Sequence, residues 1–210
     1  MKVVFLLDKS NNWIEPYIQK YIAESKNNYS IHYDHSELIG NEIVFILGYT
    51  KILDKNFLNQ NKLNLVVHES DLPYGKGFSP IQWQILEGKN EITFTLFEAT
   101  ENVDAGAIYA QKNVNFSGYE LFDEIRSIQG EKTIELIREF IERYPNVSKK
   151  QQIGSESIYP RRTNEDDRLN VHKTIKEQFN HFRIANNNDY PLWFEIDGHK
   201  YIIKIFEDKQ

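Results

Sequence analysis

Short apolar runs separated by polar, turn-forming stretches set the rhythm of this chain. Lys2 to Leu7, Ile43 to Leu47 and Leu63 to Val67 are nearly continuously apolar, the pattern of strands buried on both faces of a parallel sheet. After the first run, Ile14, Tyr17, Ile18, Tyr21 and Ile22 recur at helical spacing, with Pro16 tolerable in the first turn. Ser79 and Pro80 read as the N-cap and first residue of a helix carrying Ile81, Trp83, Ile85 and Leu86, which Gly88 stops. Ile92 to Phe97 then alternates as a strand, and Asp104-Ala105-Gly106 makes a turn into a second strand, Ala107 to Gln111.

Further along, Leu121, Ile125, Ile128, Leu136, Ile137, Phe140 and Ile141 give Tyr119 to Tyr144 a helical period, interrupted at Gly130. Pro145 to Gly154 is polar and reads as a connector. Val171, Ile175, Phe179 and Phe182 fall on one helical face and predict a helix over Asn170 to Ile184. Trp193 to Ile196 and Lys200 to Ile205 flank Asp197-Gly198, a strong two-residue hairpin signal. The expected fold is therefore α/β: a Rossmann-like, mostly parallel sheet flanked by helices, with a small C-terminal helix-plus-β-hairpin tail. The expected division is a main domain over residues 1–150 and a short extension over 151–210.

Composition narrows the chemistry. With 210 residues the chain can bury one sizeable core. It has no Cys, which removes disulfides, thiol nucleophiles and cysteine metal sites. The opening MKVVFLLDKS has too short an apolar run for a signal peptide, and no run reaches a membrane span; a cytoplasmic protein with no membrane partner is the expectation. A formal net charge of −6 argues against nucleic-acid binding, which relies on dense Lys and Arg. Asp8 to Asn12 lacks GxGxxG, so a nicotinamide cofactor is not expected. His32 and His35, in IHYDH, have a metal-like spacing, but the alternating setting and lack of further ligands favour exposed side chains and no metal.

The densest chemistry lies between Asn64 and Gln111. His68 closes an apolar run that Ser70, Asp71, Pro73, Gly75 and Gly77 then break, which places it at the C-terminal edge of a strand. In open α/β sheets ligands bind at that edge. Asp104 stands beside a turn, and a His and a carboxylate on facing turns can act as a base and its orienting partner.

The segment also carries HxSxLP at His68 to Pro73, Lys76-Gly77, P-x-x-W at Pro80 to Trp83 and D-x-G at Asp104 to Gly106. In order and spacing these elements closely resemble the 10-formyltetrahydrofolate-dependent formyltransferases, which include methionyl-tRNA formyltransferase, glycinamide ribonucleotide transformylase and the sugar N-formyltransferases. The resemblance covers the N-terminal two thirds best, with a weaker echo after Tyr159. It implies a formyltransferase fold and a primary amine attacking the formyl carbon of the folate. By the same resemblance His68 is the catalytic His, Asp104 orients it, and Val103, Asp104, Lys76 and Gly77 border the folate. The chain departs from the family at Val66, where an Asn that helps hold the formyl oxygen is usual. Asn64 lies on the same strand face as His68 but one pair further back than Val66, about 7 Å along the strand, a poor replacement.

Ser10, Asn11 and Asn12 could donate to a substrate phosphate near a helix N-terminus, as the matching loop does in the purine-pathway relative, or form a capping turn. Tyr74 and Gly75 would border the substrate. Lys76 could meet a carboxylate or phosphate, or be a solvated loop charge. Arg161-Arg162, in YPRRTNEDDRLN, could meet a phosphate or lie in a solvated loop; the family's similar segment suggests a strand covering the site's rim. The acidic balance, and the roughly fifty residues after Tyr159, argue against tRNA as substrate; that the substrate is a nucleotide-linked amino sugar is what the resemblance implies. The tail resembles the ending of short sugar N-formyltransferases, and the resemblance places the reaction in bacterial surface-glycan synthesis. The alternatives are another small amine, or a non-catalytic folate- or sugar-nucleotide-binding protein. Exposed aromatics among the 12 Tyr and 13 Phe are candidates for a homodimer interface.

Overall fold

The computed structural model describes residues 1–208. A six-stranded sheet forms its centre, in the order β2-β1-β3-β4-β6-β7. These strands span Val3–Leu7 (β1), Ser30–His32 (β2), Ile43–Leu47 (β3), Asn64–His68 (β4), Glu91–Glu98 (β6) and Ile108–Asn115 (β7). The pairs of β1 with β2, β1 with β3, and β3 with β4 are parallel. β4 with β6 and β6 with β7 are antiparallel, so the sheet is mixed, with its parallel half first in sequence.

The continuous apolar runs are explained by layers on both faces. Val3, Phe5 and Leu7 pack with Ile14, with Ile18 and Tyr21 of α1 (Glu15–Glu24), and with Ile134, Ile137 and Phe140 of α4 (Phe122–Arg143). The alternate residues Val4 and Leu6 pack with Leu38 and with Phe57 of α2 (Lys55–Gln60) on the other face. A third cluster joins β6 and β7 to α3 (Pro80–Leu86), α4 and Ile184.

Three expectations need correcting. Gly130 does not interrupt the long helix: α4 runs unbroken through it, and a Cβ there would lie 2.6 Å from the Tyr17 ring. The glycine permits close approach of α1, at a propensity cost of roughly 1 kcal/mol. Asn170 to Ile184 is not one helix; a turn and a short 3-10 segment, Lys176–Gln178, precede α5 at Phe179–Ile184. Val171 and Ile175 are exposed, so that helical period marks no buried face. Ser79 precedes α3 but makes no side-chain cap, its backbone being left-handed with φ 50°.

The tail ends in an antiparallel hairpin, β9 (Leu192–Ile196) and β10 (His199–Ile203), through Asp197 and Gly198, both at positive φ as the two-residue turn requires. Buried Arg183 of α5 ties the tail to the core, donating to Asn90 at 2.8 Å and pairing with Glu120 at 3.3 Å. Near the sheet's edge, β5 (Lys76–Gly77) pairs in parallel with β8 (Ile158–Tyr159).

Candidate active site

β4 ends at His68, which is buried on the sheet face shared with Asn64 and Val66. Its Nε2 lies 2.7 Å from the Gly75 carbonyl. A carbonyl only accepts, so Nε2 carries the proton in the neutral ring and Nδ1 holds the free lone pair. That nitrogen faces the Asp104 carboxylate, 3.9 Å from Oδ2. The distance is too long for a direct hydrogen bond and close enough for a proton arriving at Nδ1 to complete an ion pair.

Asp104 reaches this position by an indirect route. β6 is antiparallel to β4, and its last residue, Glu98, pairs with Leu65, three residues short of His68. The loop from Ala99 to Ala107 must therefore double back by about 10 Å along β4. Leu72, Phe97 and Ile108 form the apolar cluster of this region, with Val66 packed against it. Asp104 takes a left-handed backbone conformation, φ 50°, which Asp tolerates better than most residues. Its Oδ2 accepts from the Gly77 amide at 2.9 Å. At Gly77 a Cβ would stand 2.4 Å from the Tyr159 carbonyl, so only glycine lets the loop pass this close to β8.

The structure thus brings together His68, Asp104, Gly75 and Gly77, with Val103 exposed beside Asp104. Tyr74 and Phe78, which flank Gly75 to Gly77, and Ile158 of β8 are exposed. Lys76 sits apart from this group: it is buried, and its Nζ is paired with Glu156 at 2.7 Å. Asn64 donates to the Leu58 carbonyl at 2.9 Å, so its amide is not free to replace the Asn absent at Val66. Arg162 pairs with buried Asp167, and Arg161 lies over the Phe78 ring at 4.5 Å.

Ser10, Asn11 and Asn12 occupy the loop after β1, at the same edge of the sheet but two strands away, roughly 10 Å. Both the amide and hydroxyl of Ser10 donate to Asp8 Oδ1, at 2.9 and 2.7 Å, and the Asn11 amide donates to the Gly48 carbonyl. Hydrogen bonds from Thr50 and then Ser10 hold the Asp8 carboxyl well below the usual range, which keeps a negative charge in the loop. Among the described residues no group of three or more His, Cys, Asp and Glu could hold a metal, and no helix is long and apolar enough to cross a membrane.

Sequence reasoning missed the side chains that hold the site in place. Gln111 donates to Asp71 at 2.8 Å, Thr95 donates to the Ser70 carbonyl at 2.6 Å, and Gln129 donates to Glu69 at 2.6 Å. Together they fix the residues that follow His68. Ser157 accepts from the Gly75 amide at 2.8 Å, and Trp83 donates to the Pro160 carbonyl at 2.9 Å while stacking on Tyr159. The rim strand suggested for the segment after Tyr159 is not found there: β8 ends at Tyr159, and the chain continues as a loop into a 3-10 turn at Asn164–Asp167.

A histidine nitrogen facing a carboxylate at the C-terminal edge of a parallel strand is an arrangement that can take up a proton and balance its charge. The chain belongs to the formyl transferase family, whose model matches residues 8–126 and so takes in both His68 and Asp104. A methionyl-tRNA formyltransferase of Lactobacillus johnsonii is 30% identical over 182 residues, 83% of this chain and 56% of that protein; the chain thus spans little more than half of this curated relative. Among solved structures, a methionyl-tRNA formyltransferase from Clostridium thermocellum is similar with a TM-score of 0.79 at 21% identity, over 95% of this chain and 90% of the other. A 4-N formyltransferase from Francisella tularensis gives 0.77 at 18%, over 100% and 99%. HypX from Aquifex aeolicus in complex with tetrahydrofolic acid gives 0.75 at 16%, over 95% and 36%.

Proposed function

We propose that this chain transfers a formyl group from 10-formyltetrahydrofolate to the amino group of a nucleotide-linked amino deoxysugar. The observation that carries the reading is the His68 Nδ1 lone pair facing Asp104 at 3.9 Å, with Nε2 held on the Gly75 carbonyl. An amine that bonds to a formyl carbon must lose a proton, and the departing folate nitrogen must gain one. His68 receives the first at Nδ1, where Asp104 balances the charge, and returns it to the leaving nitrogen. The Gly77 amide keeps the carboxylate from swinging away. With valine at position 66, stabilisation of the developing oxyanion falls to protonated His68 or to a backbone N–H of Glu69 to Asp71.

The folate assignment draws support from the family model over residues 8–126 and from exposed apolar side chains next to the site in sequence or pairing, Tyr74, Phe78, Val103 and Ile158, which suit a flat heteroaromatic ring. The sugar assignment draws support from the net charge of −6 and from end-to-end similarity to a 4-N formyltransferase. A second reading, formylation of methionyl-tRNA, is favoured by the name of the sequence relative. Mass spectrometry separates them. UDP- and dTDP-linked 3-amino and 4-amino deoxysugars, and methionyl-tRNA, are each incubated with the protein and 10-formyltetrahydrofolate. A formyl mass gain on one sugar, absent with His68→Ala, supports the proposal; gain on methionyl-tRNA alone replaces it. Folate binding without transfer to any amine marks a non-catalytic protein.

A further inference from the structure

We propose that Gln152 is a positioning residue that holds Asp104 in register with His68. It lies in the polar stretch that reads in sequence as a mere connector. Its Nε2 donates to two carbonyls of the D-x-G turn, those of Asp104 and Gly106, each at 2.9 Å. The turn is demanding: Asp104 is left-handed, and a Cβ at Gly106 would stand 1.7 Å from the Glu98 carbonyl. Gln152 joins the two ends of that turn from outside.

Two further observations separate this contact from a casual surface bond. Gln152 Oε1 is buried and has no hydrogen-bond partner, so the side chain is oriented by donation alone; turning the amide over would set its oxygen against two carbonyls. Leaving that acceptor unpaired carries a cost that the two donated bonds must offset. The support beneath Gln152 is also firm, because Lys150 and Ile108 exchange backbone hydrogen bonds at 2.8 and 2.9 Å. The influence of Gln152 reaches the reaction centre through the Asp104 backbone, which sets the carboxylate that the Gly77 amide also holds.

As a contribution to catalysis this rests on the formyl-transfer reading, but the geometry has its own reporter. Gln152→Glu keeps the shape and replaces the donor with an acceptor. Hydrogen exchange at the Gly77 amide should quicken at least about tenfold in Gln152→Glu, as in Asp104→Ala, with β1 amides unchanged. Unaltered Gly77 protection in a folded variant overturns the proposal, and Gln152→Ala is read in the same way should Gln152→Glu not fold. In turnover, Gln152→Glu should lower kcat by about 10- to 100-fold with the amine KM within about threefold, and add less than about threefold in an Asp104→Asn background. Losses that multiply fully in that double variant would mean Gln152 acts other than through Asp104. If the unmodified protein formylates no amine, the functional reading fails, and Gly77 exchange alone still decides the role of Gln152.

Discussion

The loop after β1, Asp8 to Asn12, and the loop after β6, Ala99 to Ala107, both present carboxylate and amide groups near turns, and the sequence nominates both as ligand contacts. In the first, the donors of Ser10 turn inward to Asp8 and the amide of Asn11 to the Gly48 carbonyl. In the second, the Asp104 carboxylate is turned toward His68, and the loop's own backbone is held from outside by Gln152. Both loops are held by other parts of the chain; what differs is that the side-chain donors of the first are consumed in that holding, whereas the second keeps its carboxylate for His68.

Four outcomes break or sharpen that contrast. The largest is at the outward-facing loop and its partner: His68→Ala and Asp104→Asn should each lower turnover at least about 100-fold, the lower range for losing a general base. Near-normal rates in both would remove the distinction. Next, Val66→Asn should raise turnover on the order of tenfold by supplying an oxyanion donor, and steady-state kinetics would show no gain if a backbone amide already does that work. In the inward-turned loop, Ser10→Ala and Asn11→Ala should change the substrate KM by less than about threefold, since their donors already have partners; a large rise in KM would restore that loop as a phosphate site.

The smallest effect concerns acid. Asp8 is depressed in the folded protein, so its stabilising contribution is fully present above the unfolded value near 3.9 and is lost only as pH falls through the lower folded value. Protection of the Ser10 amide, followed by hydrogen exchange, should therefore persist through pH 4 and fade in stronger acid. Loss at pH 5 would mean that the Asp8 network does not hold the loop.

Much of the framework was legible because periodicity reports burial. β3 ran as expected from Ile43 to Leu47, and His68 closed its strand. Periodicity misled where a residue type has two meanings. Gly130 reads as a helix breaker yet serves as a contact surface for Tyr17, and Val171 and Ile175 repeat helically without being buried. The restraints of the site were illegible for a different reason. Gln152, Ser157 and Gln129 act by side-chain hydrogen bonds to groups distant in sequence, and such bonds leave no period and no local motif. Lys76, nominated from its place beside Gly77, is engaged by Glu156 from the far side of the sequence.

The stitching of residues 150–160 to the loops around His68 and Asp104 also sets a timetable. On the ribosome the strand that ends at His68 and the strands that flank the Asp104 loop emerge first and can begin to fold. Until Gln152, Ser157 and Tyr159 follow, the nascent chain carries His68 and Asp104 without these contacts, so the site takes its final geometry only after the sheet is already made.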